Sequence, residues 1–432
     1  MRGKMSKITL KDVLEVTGGK LVGAFSDLSI EIDALCQNSR TVDCPAMFVP
    51  YNGSNVDGHD YIDEALEKGC IGCLIQKELK EYRDDKFYVL VDDVLESVWK
   101  LVDFRRKQIN ATLICVTGSV GKTTTTGMIA NVLRQQYRVF ETEDNRNDEF
   151  LGPEMIFKIK DDDEFAVIEL GMGEHSSVSK MAKILQPDVV VLTRIGYAHI
   201  GKTGSLEATT KEKCSTEDGL PTNGIVVVNS DDKYLMSYPY KHRVVTYSRI
   251  GAGYMLPTNL LYAGSAALTV GKLFYVSDRK ITEGLTTYVP AEGRMDIVKK
   301  ERFTLIDSSF NASLESMEMA LGILSKYRAR RIAVLGEMLE IGDYADELHS
   351  RLGSLITPNI CDVLIAVGEH ADFVKDAADI RVSKYAVKTI AEAWSIIAKL
   401  FCESRGNDVI LCKGSHASGI YKIAEHLREI GE

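Results

Sequence analysis

The stretch ICVTGSVGKTTTTGMIANVL, residues 114–133, constrains the chain more than any other. A run of apolar and β-branched residues enters a glycine-rich turn, Gly118-Ser119-Val120-Gly121-Lys122-Thr123, and a helix-forming segment leaves it. A strand of that composition is buried on both faces, which demands a parallel sheet covered by helices. The glycines let backbone N–H groups converge on phosphate oxygens, and the following helix N-terminus adds partial positive charge. Lys122 can reach β- and γ-phosphates, and the Thr123 hydroxyl suits Mg²⁺. Gly118, Ser119, Gly121, Lys122, Thr123 and Thr124 are therefore the expected ATP-binding residues. The general signature asks for glycine six residues before Lys122, where this chain has Val116. With strand, Gly-Lys-Thr and helix all in place, a chance glycine turn fits poorly. The loop alone specifies only a nucleoside triphosphate.

The rest of the 432 residues is too long for one core. Residues 1–108 hold short strands, glycine turns, the helix YIDEALEKG and the helix VLESVWKLVDFRRKQI, which read as a small N-terminal α/β substrate domain. Residues 109–295 place the phosphate loop with the strands FAVIELG, DVVVLTRIG and NGIVVVNSDD, a parallel-sheet ATPase domain. From about 243 to 290, HRVVTYS and ALTVGKLFYVS alternate, which predicts an antiparallel flank on that domain. Residues 296–432 give RRIAVLGEM, DVLIAVGEH and DVILCKGS as strands, each followed by a helical segment, so a Rossmann-like doubly wound unit is expected. No Gly-x-Gly-x-x-Gly follows a strand there, and dinucleotide binding is not expected.

A net charge of −10 disfavours a general nucleic-acid binder. The first residues, MRGKMSKITLKDVLEV, carry no apolar signal region, and no apolar run reaches the roughly 18 residues of a bilayer span. Nine scattered cysteines do not form a disulfide framework, and a reducing cytoplasm is the simplest setting. Cys70-x-x-Cys73 admits a redox or half-zinc reading, but without a second such pair it reads as a helix end, a glycine turn and a buried strand.

Three further residues stand at element ends of the second domain. Glu169 closes FAVIELG, where a carboxylate at a strand's carboxyl end can hold Mg²⁺ opposite Thr123. His199 closes VLTRIGYAHI, and Lys213 lies in the helical SLEATTKEKCSTEDGL. Taken singly, Glu169 reads equally as a cap, His199 as a surface histidine and Lys213 as a solvated lysine.

Taken in order, T-G-S-x-G-K-T-T-T, E-L-G, I-G-x-A-H and a lysine in an S-L-E helix resemble the central domain of the Mur ligases, ATP-dependent builders of the bacterial cell-wall peptide. The resemblance implies a carbamoylated Lys213 that joins His199 on a second Mg²⁺, with Thr123 and Glu169 on the first. Lys211 is the rival for carbamoylation, and the spacing from Ser205 and to Gly219 favours Lys213. The similarity spans nearly the whole chain. QNSRTVDCPAMFVPYNGSNVDGHDYI resembles the family's uridine-binding segments, which implies Ser39, Arg40, Asp57 and His59 on the substrate. NRNDEFLGP is similar to a substrate-side loop and implies Asn145 and Asn147. EGRMD is similar to the hinge and LIDSSFNASLESM to a nucleotide-contacting segment, which implies Arg294 and Asn311 on ATP. VLGEMLEIGDYADELHSRLG and CKGSHASG match two further segments.

The member type indicated joins D-alanyl-D-alanine to UDP-N-acetylmuramoyl-tripeptide through an acyl phosphate. That implies small-molecule partners, no nucleic acid, no membrane insertion and a monomer. Departures cluster on the substrate side: Asn38 for an Asp, Ser176-Ser177, Ser215, Ser308 and Ser313-Leu314. A paralogue joining another carboxylate and amine is the alternative. A non-catalytic nucleotide-binding scaffold and a phosphate-loop kinase or motor are the outer readings. The last leaves both flanking domains without a role.

Overall fold

The computed structural model describes residues 8–42, 45–51, 57–142, 151–172, 177–249, 256–404 and 406–430. Among them the chain forms three main sheets, each within one of the three expected spans, and the class is α/β. The first sheet runs Lys20–Val22, Phe87–Leu90, Gly72–Ile75, Ala46–Phe48, Ala34–Cys36, with only the first pair antiparallel. Cys70 and Cys73 flank the start of one of its strands, both fully buried and free, and burial pushes the Cys73 thiol up. They are structural, as the apolar context predicts.

The central sheet has six parallel strands in the order Arg243–Tyr247, Ile225–Asn229, Val189–Leu192, Thr112–Thr117, Phe165–Glu169, Val139–Glu141. Its middle strands are buried without alternation, as a sheet covered on both faces requires. The expected antiparallel flank is not there. Arg243–Tyr247 joins the sheet in parallel, because the connection from Asn229 carries a helix, Lys233–Ser237, instead of a tight turn. ALTVGKLFYVS lies in and after the helix Leu261–Leu273. Its small residues Ala263, Ala266, Ala267 and Gly271 pack against the helix Lys122–Arg134, and this tertiary contact overrides a local strand preference.

The third sheet runs Asp296–Lys299, Phe303–Ser308, Asp408–Lys413, Arg331–Leu335, Val363–Val367, Ser383–Val387, parallel except at its first pair. The first two sheets share one hydrophobic core, closed by the helix Val94–Arg106, whose Arg105 and Arg106 donate to the carbonyls of Ile159 and Leu185. The third sheet has its own core on each face. No helix among the described residues is long and apolar enough to cross a membrane.

Candidate active site

The phosphate loop is shaped from beneath. Gly118, at φ 148°, lies where a side chain would collide with the Thr193 hydroxyl and the Arg194 backbone. Thr193 Oγ1 donates to the Val120 carbonyl at 2.7 Å, and Ser119 N–H donates to the Arg194 carbonyl at 2.7 Å. The Ser119 hydroxyl donates to the Gly196 carbonyl at 3.1 Å. That supporting segment is itself fixed by the next strand: Asn229 Nδ2 donates to the Thr193 carbonyl and Asp232 accepts the Ile195 N–H. Gly121, at φ 83°, is the N-cap of Lys122–Arg134, which starts on Lys122 and Thr123.

Thr123 Oγ1 donates to Glu169 Oε2 at 2.5 Å, and Glu169 is 3% exposed. A hydroxyl and a buried carboxylate that close form the hard-oxygen pair that Mg²⁺ favours. Lys122 is half-buried, and burial lowers its pKa while Glu169 opposes the shift. Lys213 sits in the helix Leu206–Cys214, is 0% exposed, and its Nζ has no hydrogen-bond partner among the described residues. Burial drives its pKa well below the usual lysine range, and the Lys122 charge pushes the same way. Lys211, two residues earlier, faces solvent. His199 stands at φ 61°, and burial lowers its pKa against the pull of Glu340. Its Nδ1 lies 2.5 Å from Glu340 Oε2, off the line of a hydrogen bond.

Lys122, Thr123, Glu169 and His199 face one cavity of about 330 Å³ between the second and third sheets, within the usual range for small-molecule sites. From the third sheet it receives Arg294, Phe310, Asn311, Glu315 and Lys413. The Arg294 guanidinium lies 4.4 Å from the Phe310 ring centroid. Lys413 is 3% exposed and donates to the Asn311 carbonyl at 2.8 Å and to Ser308 Oγ at 3.1 Å, and burial lowers its pKa to about 7.

Residues 116–270 match the Mur ligase middle domain, and residues 293–416 match the Mur ligase glutamate ligase domain. The chain belongs to the Mur ligase family. It is 26% identical to the UDP-N-acetylmuramoyl-tripeptide–D-alanyl-D-alanine ligase of Bacillus subtilis, over 98% of this chain and 99% of that protein. The enzyme of that name from Escherichia coli is 25% identical over 99% and 100%. Among solved structures, MurF from Acinetobacter baumannii superposes with a TM-score of 0.85 at 24% identity, covering 98% of this chain and 99% of that one. MurF from Thermotoga maritima in complex with ADP gives 0.77 at 25% identity, covering 91% and 96%.

Within this Mur ligase, the expected ATP and metal residues Ser119, Gly121, Lys122, Thr123, Thr124, Glu169, His199, Arg294 and Asn311 line the one cavity. Lys213 is buried within reach of the Lys122 and Glu169 charges. The N-terminal candidates stand apart from it. Asn38 caps the turn Ser39–Thr41 by accepting the Arg40 N–H, the task an Asp would perform there. Ser39 is buried and Arg40 exposed. His59 is buried, with Nδ1 on Asp57 at 2.8 Å and Nε2 accepting the Gln76 N–H at 3.1 Å, while Asp57 also pairs with Lys77. Asp57 and His59 thus hold their own turn together. Asn145 and Asn147 lie outside the described residues. Thr193, Glu340 and Lys413 were not anticipated. Lys413 carried a readable signal, a lysine closing an otherwise apolar strand, whereas Thr193 and Glu340 are brought in only by packing.

Proposed function

We propose that this Mur ligase joins D-alanyl-D-alanine to UDP-N-acetylmuramoyl-tripeptide, forming an amide at the expense of ATP in the synthesis of peptidoglycan precursors. The observation that carries the reading is the single cavity in which phosphate-loop residues of one unit meet Arg294, Asn311 and Lys413 of the next. The whole-chain likeness to ligases of that name supports these substrates over another carboxylate and amine. A carboxylate oxygen of the tripeptide attacks the γ-phosphorus of ATP, the β,γ-bridging P–O bond breaks, and ADP leaves. The dipeptide amine then attacks the acyl carbon, the C–O bond to phosphate breaks, and one proton is released from the amine.

Lys122 and the loop N–H groups bind the charge that shifts along the phosphates, which is where such catalysis chiefly resides. Thr123 and Glu169 would hold one Mg²⁺. The orphaned amine of Lys213 would take up CO₂ as a carbamate with loss of a proton, and that carbamate with His199 would hold a second. This fits the donor set: the Lys213 Nζ is buried with no hydrogen-bond partner among the described residues, and its charge acts on His199. Bound there, Mg²⁺ would neutralise the γ-phosphoryl oxygens as a Lewis acid. Lys413 holds the Asn311 backbone in place, and docking of the third unit excludes water from the acyl phosphate. In this reading the reaction runs in the cytoplasm and the chain acts as a monomer. Purified protein with ATP and both substrates should yield the pentapeptide by mass, with ADP released only when both are present. ADP release indifferent to the dipeptide, with no amide formed, would overturn the reading.

A further inference from the structure

The turn that carries His199 belongs by sequence to the central unit but is seated in the C-terminal one. Ile200, 1% exposed, is buried in the core of the third sheet and not in that of its own sheet. The Gly201 N–H donates to the Glu340 carbonyl at 3.1 Å, and Tyr344 Oη donates to the Gly204 carbonyl at 2.8 Å. Arg351 Nη1 donates to Tyr197 Oη at 2.9 Å, and the Tyr197 N–H donates to Glu315 Oε1 at 3.0 Å. Gly201 and Gly342 pass so close that a Cβ on Gly201 would lie 2.7 Å from the Gly342 nitrogen. At the centre of this seat the Glu340 carboxylate meets His199 Nδ1, and both residues are held at left-handed φ, 60° and 61°. Non-glycine residues adopt that conformation where the surroundings impose it, commonly at functional sites.

We propose that Glu340 is a positioning residue for His199: arriving with the C-terminal unit, its carboxylate pairs with the Nδ1 edge of the ring and orients the imidazole with Nε2 left for a ligand. A carboxylate behind a ligating histidine sets its orientation and raises its basicity. Docking of the amine-binding unit and completion of the second cation site are then one event. The C-terminal unit contributes to phosphoryl transfer before its own substrate reacts. This inference rests on the two-cation reading above.

The test titrates Mn²⁺, followed by electron paramagnetic resonance, into full-length protein with a non-hydrolysable ATP analogue and CO₂. Wild type binds two ions. Glu340→Gln keeps the first and weakens the second 10- to 100-fold, and kcat falls by the same order while KM for ATP stays within about twofold. Glu340→Asp, which keeps the charge, restores part of the second-ion affinity. The Glu340 side chain is 50% exposed, so its replacement leaves the fold in place. Lys202→Met removes the other ion pair Glu340 makes, at 4.0 Å, and leaves the second ion unchanged. Second-ion affinity unaltered in Glu340→Gln, or weakened equally in Lys202→Met, overturns the positioning role. A wild type that binds one ion overturns the two-cation reading and this inference with it.

Discussion

Lys213 places an amine where no group among the described residues hydrogen-bonds it, and charge there is expensive. Its folded pKa is depressed, so between that value and the unfolded one the unfolded chain holds a proton that the folded chain has released. Stability contributed by such a group rises with pH from the depressed folded value to the unfolded value near 10.4 and is flat outside that window. Lys413, at about 7 when folded, adds a slope of the same sign between about 7 and 10.4. Thermal midpoints in CO₂-free buffer between pH 7 and 9 should therefore climb more steeply in wild type than in Lys213→Met. Equal slopes would mean that Lys213 is charged when folded. Readiness to form a carbamate has the same origin, because only the neutral amine attacks CO₂. Lys122→Ala should lower kcat by about 10²- to 10³-fold with an unchanged circular-dichroism spectrum, since it removes charge stabilisation from the transferring phosphoryl group.

Elements differ in how openly their sequences announce them. Thr112–Thr117, Phe165–Glu169 and Val189–Leu192 are apolar except at their ends because both faces are covered, and so they are readable. The strand Ser383–Val387 and the edge strand Asp296–Lys299 were not anticipated, since their half-exposed residues show no buried run. ALTVGKLFYVS, residues 267–277, reads as a strand but begins inside the helix Leu261–Leu273, because its β-branched residues and phenylalanine are decided by packing on the phosphate-loop helix and not by local preference. The phosphate loop itself depends on a backbone shape that only glycine meets at position 118. Gly118→Ala should cost about 1–3 kcal/mol in urea unfolding and abolish ATP-analogue binding by calorimetry. Wild-type affinity in that variant would show that the loop tolerates a wider turn than the Thr193 contact allows.

Across the whole molecule, the residues that line the cavity come from two units, so the proposed arrangement is only as complete as their docking. Ile200 of the central unit is buried in the core of the C-terminal one. Ile200→Ala should weaken docking by about 2–5 kcal/mol, since it removes buried methyl groups from a packed core. Small-angle scattering should then show a larger radius of gyration, and amide exchange at residues 199–204 should quicken while the central sheet stays protected. Unchanged scattering and exchange would place the docking energy in the polar contacts of Tyr197, Tyr344 and Arg351 instead.

By itself the sequence determined the α/β class, the phosphate loop and the family. Each of these follows from composition and order along short stretches, where strand burial and loop chemistry are local. It also pointed to Lys213 over Lys211, through spacing. Only the tertiary structure decided that Lys213 is fully buried without a partner, that residues 261–273 are helix, and that Asp57 and His59 bind each other. It alone brings Glu340 to His199 across about 140 positions of sequence. Such facts depend on which distant side chains share a desolvated space, and no property of a short segment records that.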